Sequence, residues 1–404
     1  MPRFAFGMPY FTEPDRELVR AESTRDPLGF LPVWSFFARR LVPYVASPVV
    51  QVDGIKAVLL ILWLANDEKI APMLAGEDAR RKFFRLMEGF IEYWLIRNER
   101  TPCYGSNALR AGAEKFALAA DSGQTVANGL YQYYRGTCRR AGFTGKDFEV
   151  DASIARELAA AWRSGATAVL AGALKSPLMG RQALVPAEHL RNRMLADAFK
   201  LVFAKDVLRE RFQKELFGDA AQLDLARQYR EMQAEAVHEN ISALRPGGLA
   251  HELRCVRDCE PFLLVMQNVF DVMRGEGKRK LDDVAARLSG MRQVMGERAA
   301  AFLRLGRELD TKRMRQMQEL AAILAPQEQE GIVDFMRKLV EYHKDCMKER
   351  GRGALLVIED GHILPLVPGE REPQAALDRL EAGFPWMNDY YFRTAAKLHG
   401  QLFG

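Results

Sequence analysis

Cysteine is scarce and irregular in this 404-residue chain: Cys103, Cys138, Cys255, Cys259 and Cys346 form an odd set with no Cys-x-x-Cys pair. That excludes a disulfide framework and points to reduced thiols in a cytoplasm. Long apolar runs are missing too. The most hydrophobic stretch, AVLLILWLA from Ala57 to Ala65, lies between Lys56 and Asp67 and falls well short of the ~20 residues a membrane span needs, so a buried helix is expected there and no membrane partner. At the amino terminus Pro9, Glu13, Pro14 and Asp15 interrupt any export-signal core. Internal repeats and low-complexity tracts are absent, and β-branched runs are rare. Gly-x-Ser-x-Gly is absent as well, which removes the serine-hydrolase elbow.

Alanine, leucine, arginine and glutamate dominate what is present, in helical period. Phe83, Leu86, Met87, Phe90, Ile91 and Trp94 recur at spacings of three and four, with charge on the opposite face. Further helices are predicted over 154–162, 188–205, 223–243, 262–274 and 332–348. The expected fold is mainly α: a large multi-helix body with a small C-terminal β-hairpin. Proline and paired glycine break the helical pattern at 176–186, 245–248, 325–331 and 350–353. These breaks suggest an N-terminal helical half (1–180), a second helical half (181–349), and a hairpin with terminal helix (350–404) packed on the body. The hairpin is read from two short apolar runs, 355–358 and 362–367, joined through Asp360-Gly361. Pro365 places the second of its strands at a sheet edge in this reading, since proline cannot donate to a ladder. The last helix is its expected seat.

Motifs for chemistry are few. GEGKRK at 275–280 lacks the Gly-x-x-x-x-Gly-Lys-[Ser/Thr] spacing and follows a helical pattern, so no nucleotide site and no cofactor are assigned. His251, Cys255 and Cys259 follow at intervals of four and would share a helical face. The first and last would lie about 12 Å apart at ~1.5 Å rise per residue, too far to share one metal. A pair with a distant ligand stays open, yet no metal is assigned and no catalytic residue is named.

Basic residues cluster locally. Between Arg274 and Met317 twelve Lys or Arg stand against six Asp or Glu, and the chain's net +5 leaves −1 for everything else. Leu281, Leu288, Met295, Phe302 and Leu309 repeat every seven residues, with Val284, Met291 and Leu305 beside them, so an apolar seam backs this basic face. Gly290, Gly296 and Gly306 are expected to bend or divide the helix. Candidate contacts for DNA or a protein partner are Lys278, Arg279 and Lys280 at one end and Lys312, Arg313 and Arg315 at the other. A core helix with solvated arginines is the alternative. A second surface mixes Tyr133 with Arg135, Arg139 and Arg140, while Tyr131, Tyr134 and Cys138 share the face turned to a core.

TRDPLG (24–29), the aromatic helix that follows it and GIKAVLLILWL (54–64) together resemble the start of a bacterial protein family. Genes of that family sit in anti-phage defence islands near helicase and phospholipase-D-type nuclease genes. The likeness extends to RDCEPFLLVMQNVFDVMRGEG (257–277) and WMNDYYFRTAAKL (386–398). It implies a non-enzymatic subunit of an antiviral defence complex that binds partner proteins, among them a helicase or nuclease, with duplex DNA as a further ligand. An enzyme with an atypical helical, metal-dependent site is the alternative, and the family brings no catalytic residue with it. Asp26-Pro27-Leu28-Gly29 reads as a turn before a packed aromatic helix, with Thr24, Arg25 and Asp26 as candidate partner contacts.

Overall fold

The computed structural model describes residues 26–103, 115–117, 130–146, 149–179, 184–186, 191–232, 237–325, 331–369 and 371–404. The fold is mainly α with a small β part. The described helices of the first half are α1 (Leu31–Leu41), α2 (Val52–Ala65), α3 (Glu77–Arg97), α4 (Leu130–Arg140), α5 (Ala152–Ala161), α6 (Ala166–Met179), α7 (Arg193–Val202) and α8 (Arg209–Glu215). The remainder are α9 (Ala220–Glu231), α10 (Val237–Ala243), α11 (Ala250–Met273), α12 (Leu281–Leu288), α13 (Arg292–Leu303), α14 (Lys312–Leu324), α15 (Gly331–Glu349), α16 (Pro373–Ala382) and α17 (Phe392–Phe403). Strands β1 (Lys115–Ala117) and β2 (Leu184–Pro186) pair antiparallel. Strands β3 (Arg279–Lys280), β4 (Leu356–Glu359) and β5 (His362–Pro365) form a second sheet in the order β3-β5-β4.

Contacts divide the chain into two compact units, each drawn from three separate stretches rather than from consecutive segments. One holds residues up to Phe37, Glu235–Ser242 and His251–Asn388; the other holds Ala38–Ala234, Ala243–Ala250 and Asp389–Gly404.

In the second unit α2 is the centre, buried from Val58 to Leu62 as its unbroken apolar run requires. No helix among the described residues is long and apolar enough to cross a membrane. Lys56 is buried within α2, where its ammonium donates to the Ala204 carbonyl at 2.5 Å. Burial, opposed by Asp53, lowers its pKa to about 8. Around α2 packs an aromatic cluster in which Trp94 stacks on Phe203 (5.4 Å) and Trp162 meets Phe199 edge-on (5.6 Å). Further along the chain, Tyr229 of α9 stacks on Phe392 of α17.

The other unit, which carries the basic segment, is built from α11 to α16 and the three-stranded sheet. The seven-residue stripe is its core: Leu281, Val284, Leu288, Met295, Phe302 and Leu305 are buried, and Met291 and Leu309 are half-buried. The three glycines act differently. Gly290 sits in a short 3-10 turn between α12 and α13, and Gly306 adopts φ +54° in the turn after α13. Gly296 leaves α13 unbroken, where a Cβ would come within 3.0 Å of the Leu324 carbonyl, so it serves close packing instead of bending. Helix α11 starts well before the predicted residue 262 and runs straight through Pro261.

The hairpin forms over the predicted residues, with Asp360 (φ +49°) and Gly361 (φ +73°) both left-handed as its two-residue turn demands. Two expectations about it are corrected. β5, the strand with Pro365, is central and not an edge, because β3 adds to its other side. Proline is tolerated since β3 pairs only with His362 and Ile363 and stops before Pro365. The sheet rests on α15 within this unit, whereas the terminal helix α17 belongs to the other unit.

The turn before α1 is anchored into the same unit. Asp26 Oδ1 accepts from Phe30 N at 2.5 Å, and its other oxygen pairs with Arg350 at 2.8 Å. Tyr342 donates to the Leu28 carbonyl at 2.6 Å. His343, fully buried, bridges two segments: Nδ1 lies 2.9 Å from the Pro27 carbonyl, and Nε2 accepts from Leu355 N at 2.9 Å. Only the neutral ring with its proton on Nδ1 satisfies both. Burial, helped by the charges of Arg274 and Lys344, lowers the pKa of His343 to about 4.

Because the unfolded ring titrates near its ordinary 6.5, the unfolded chain takes up a proton first as pH falls. Stability contributed by His343 is therefore complete above about pH 6.5 and declines toward pH 4, by an amount on the order of 3 kcal/mol. Urea unfolding of wild type and His343→Gln across this window should show the variant less stable at neutral pH but lacking that acid-side loss. Parallel curves for the two proteins would contradict the assignment.

Candidate nucleic-acid interface

The basic surface begins where α11 ends at Met273. Arg274 turns back and donates to the carbonyls of Val367 (3.2 Å) and Pro368 (2.6 Å), while Gly369 N donates to the Arg274 carbonyl at 3.1 Å. The hairpin's exit is thereby strapped to the helix end. Chain reversal uses Gly277 at φ +73°, which presents Lys278 outward and leads into β3. Successive strand residues point to opposite faces, so Arg279 turns inward and Lys280 outward. Arg279 Nη2 donates to the carbonyls of Val272 (3.1 Å), Met273 (2.8 Å) and Gly275 (3.1 Å). These carbonyls lie at and just beyond the end of α11, where intrahelical donors run out, and a cation there also suits the helix dipole.

Lys280 lies directly opposite His362 in the β3–β5 register, and Leu281 N donates to the Gly361 carbonyl at 2.9 Å. Helix α12 therefore starts at the hairpin tip and brings Arg287, in its last turn, back over the strand. The outcome is a concave surface lined by Lys278, Arg279, Lys280, Arg287 and His362 together with Val284, and among the described residues Asp283 is the only carboxylate that lines it. Lys278, Lys280 and Arg287 are exposed, and their side chains make no hydrogen bond or ion pair among the described residues. Burial and the like charge of Arg287 both lower the pKa of Arg279, a sign of how closely the positive charges crowd here.

The other candidate residues have different surroundings. Lys312 and Arg313 grip the two oxygens of Glu349 at 2.8 and 2.6 Å, and Arg315 pairs with Asp310 at 2.5 Å. Hydrogen bonding by Lys312, together with the charge of Arg313, holds the Glu349 carboxyl below its ordinary range. Arg313 also lies over the Tyr342 ring, touches Cys346 and fills the space where a side chain at Gly29 would sit. This cluster is compensated in place and is not a free cationic face.

On α4, Tyr134 and Cys138 are buried as expected, and Tyr131 is half-buried against Phe84. Tyr133 is half-buried, Arg135 lies over the Tyr131 ring at 5.5 Å, and Arg140 donates to the Tyr44 carbonyl at 3.1 Å. Arg139 alone of that set is exposed. Thr24 and Arg25 lie outside the described residues. Asp26 faces inward as a helix cap and ion-pair partner, which corrects its reading as a partner contact. Arg287 and His362 belong to the surface although neither was singled out from the sequence. His362 reaches it only through the pairing of β3 with β5.

His251 and Cys255 do share a face of α11, with Cys255 Sγ 3.6 Å from His251 Nε2. A third donor comes from far along the chain: Glu308 Oε1 lies 2.9 Å from His251 Nε2, and the three ligand atoms all fall within 4.8 Å of one another. Cys259, one turn further, is not in the group.

No protein-family model, curated protein or solved structure matches the chain.

The contrast between adjacent basic residues is measurable. Arg279→Ala removes a donor shared by three carbonyls and should cost about 1–3 kcal/mol in chemical denaturation. Lys278→Ala, at an exposed turn position, should stay within ~0.5 kcal/mol. Equal and small losses would remove the capping role given to Arg279.

Proposed function

We propose that this chain is a non-enzymatic subunit of a bacterial anti-phage defence complex. It is a helical scaffold that binds other proteins of the system, a helicase or nuclease among them, and meets duplex DNA through the basic concavity between β3, α12 and the hairpin. The observation that carries the DNA reading is the set of uncompensated cations on a braced frame: Lys278, Lys280 and Arg287 converge there. Phosphate contacts of this kind give register and affinity without base specificity.

The defence setting rests on the resemblance of the opening, middle and closing motifs. What supports treating them as one structural signature is their meeting point. Glu260 of the middle motif accepts from Trp34 Nε1 (2.8 Å), Met387 N (2.8 Å) and Asn388 N (3.3 Å), drawing on the other two. A second reading, a metal-dependent enzyme, is favoured by the grouping of His251, Cys255 and Glu308.

Fluorescence anisotropy with a labelled duplex over a range of salt tests the DNA reading. Each lost phosphate contact lowers the slope of log affinity against log salt by about 0.9. K278A/K280A/R287A should therefore bind more weakly, with a slope shallower by about 2.7 if all three meet phosphates. K312A/R315A, whose charges are already paired, should leave the slope near that of wild type. Failure of the wild type to bind duplex, or an unchanged slope in the triple variant, would leave an acidic protein surface as the ligand of the concavity.

A further inference from the structure

The group formed by His251, Cys255 and Glu308 has the chemistry of a metal site. Imidazole nitrogen, thiolate sulfur and carboxylate oxygen are the three donor types that zinc accepts, at about 2.0–2.1 Å, 2.3 Å and 2.0–2.2 Å. In a tetrahedral site those bond lengths set a nitrogen to sulfur separation of about 3.6 Å and a nitrogen to oxygen separation of about 3.3 Å. The corresponding distances are 3.6 Å for His251 Nε2 to Cys255 Sγ and 2.9 Å for His251 Nε2 to Glu308 Oε1. These two edges lie close to those of a zinc tetrahedron, and the third, between Cys255 Sγ and the Glu308 carboxylate, is no longer than 4.8 Å.

The frame around the donors is built. His251 and Cys255 are fixed one turn apart on α11. Glu308 comes from the connection between α13 and α14, which is held by successive turn bonds: Arg304 N to Ala301 O, Leu305 N to Phe302 O, Gly306 N to Leu303 O and Glu308 N to Leu305 O, each 3.1 Å. Buried Leu305 pins this connection from within. Arg304 ties it to Asp258 of α11 at 2.7 Å, one turn beyond the donors. Cys255 is buried while His251 and Glu308 remain partly open, so an ion can enter and a fourth position can face solvent.

We propose that His251 Nε2, Cys255 Sγ and Glu308 together bind one zinc-class divalent ion, with the fourth position left to water or an external ligand. Binding moves two protons. The thiol loses its proton to solvent, and the imidazole proton passes from Nε2, where it now faces Glu308, to Nδ1. Arg254 stands against that transfer, since its Nη2 lies 3.0 Å from Nδ1 and a donor cannot face a donor. Arg254 is exposed and can swing into water, but its charge and its hydrogen bond both weaken metal binding. A neutral acceptor in its place would instead orient the ring, as outer-shell partners of zinc-bound histidines do.

Cobalt titration of metal-stripped full-length protein, followed by zinc competition, tests the assignment. Expected are one cobalt per chain, a thiolate-to-cobalt charge-transfer band in the near ultraviolet, tetrahedral visible bands, and loss of all of them on adding zinc. C255S should abolish the charge-transfer band, and H251A and E308Q should each lose one-to-one binding, with circular dichroism verifying the fold of every variant. Glu308 is at the surface, so E308Q remains informative if C255S fails to fold. R254Q should bind cobalt about ten-fold more tightly than wild type. Absence of the thiolate band in wild type, its persistence in C255S, or unchanged affinity in E308Q would reduce the group to a His–Glu hydrogen bond beside a packed thiol.

Discussion

The carboxyl group of Glu260, fully buried, is the constraint around which the unit with the basic surface is organised. A buried carboxylate is costly unless its oxygens are satisfied, and here one oxygen takes the Trp34 indole while the other takes two backbone N–H groups, of Met387 and Asn388. The demand is directional as well as energetic. Trp34 on α1 and the segment after α16 must both come to one point on α11, and the core of α12 to α15 is laid down beside it. Apolar burial stabilises this unit without specifying which segments meet. Glu260 supplies that specification, together with His343 and Asp26, which hold the turn at 26–29 against α15.

The same logic explains why net charge is a poor guide to surface charge in this chain. Of the arginines between 274 and 317, Arg274, Arg279, Arg292 and Arg298 each donate to backbone carbonyls at helix or strand ends, Arg292 to Leu324 at 2.5 Å and Arg298 to Leu380 at 2.6 Å. Arg313 fills the space beside Gly29 and over Tyr342. Several short helices meeting at angles leave many unpaired terminal carbonyls, and a five-donor planar group reaches them well. A basic count that suggests a phosphate-binding face is thus partly a record of how many helix ends need closing.

What was legible in the sequence follows from the range of the interactions involved. Helical period exposed the stripe from Leu281 to Leu305, and Asp360-Gly361 marked the hairpin, because both are local signals. The two-residue strand β3 has no local signature and exists only because β5 offers a partner, so the central place of Pro365 and the arrival of His362 beside Lys280 were not readable. The helical pair His251 and Cys255 was visible by spacing, whereas Glu308 reaches them through a fold contact across more than fifty residues. Helix α11 begins twelve residues before the predicted start at 262 and continues through Pro261, where the packing of its buried flanks outweighs one missing donor.

The anchoring of the turn at 26–29 also has a temporal side. Pro27 and the histidine that holds it are 316 positions apart, and Asp26 and Arg350 are separated by 324. On a ribosome adding about 5–20 residues each second, the turn and the start of α1 leave the exit tunnel tens of seconds before α15 exists to receive them. Most of the chain between these partners belongs to the other unit and emerges while they wait, although that unit's last piece, Asp389–Gly404, follows α15. The first described segment of the polypeptide is therefore among the last to find its place, and through that interval Leu28, Phe30, Val33 and Phe37 present an apolar surface for a chaperone to cover.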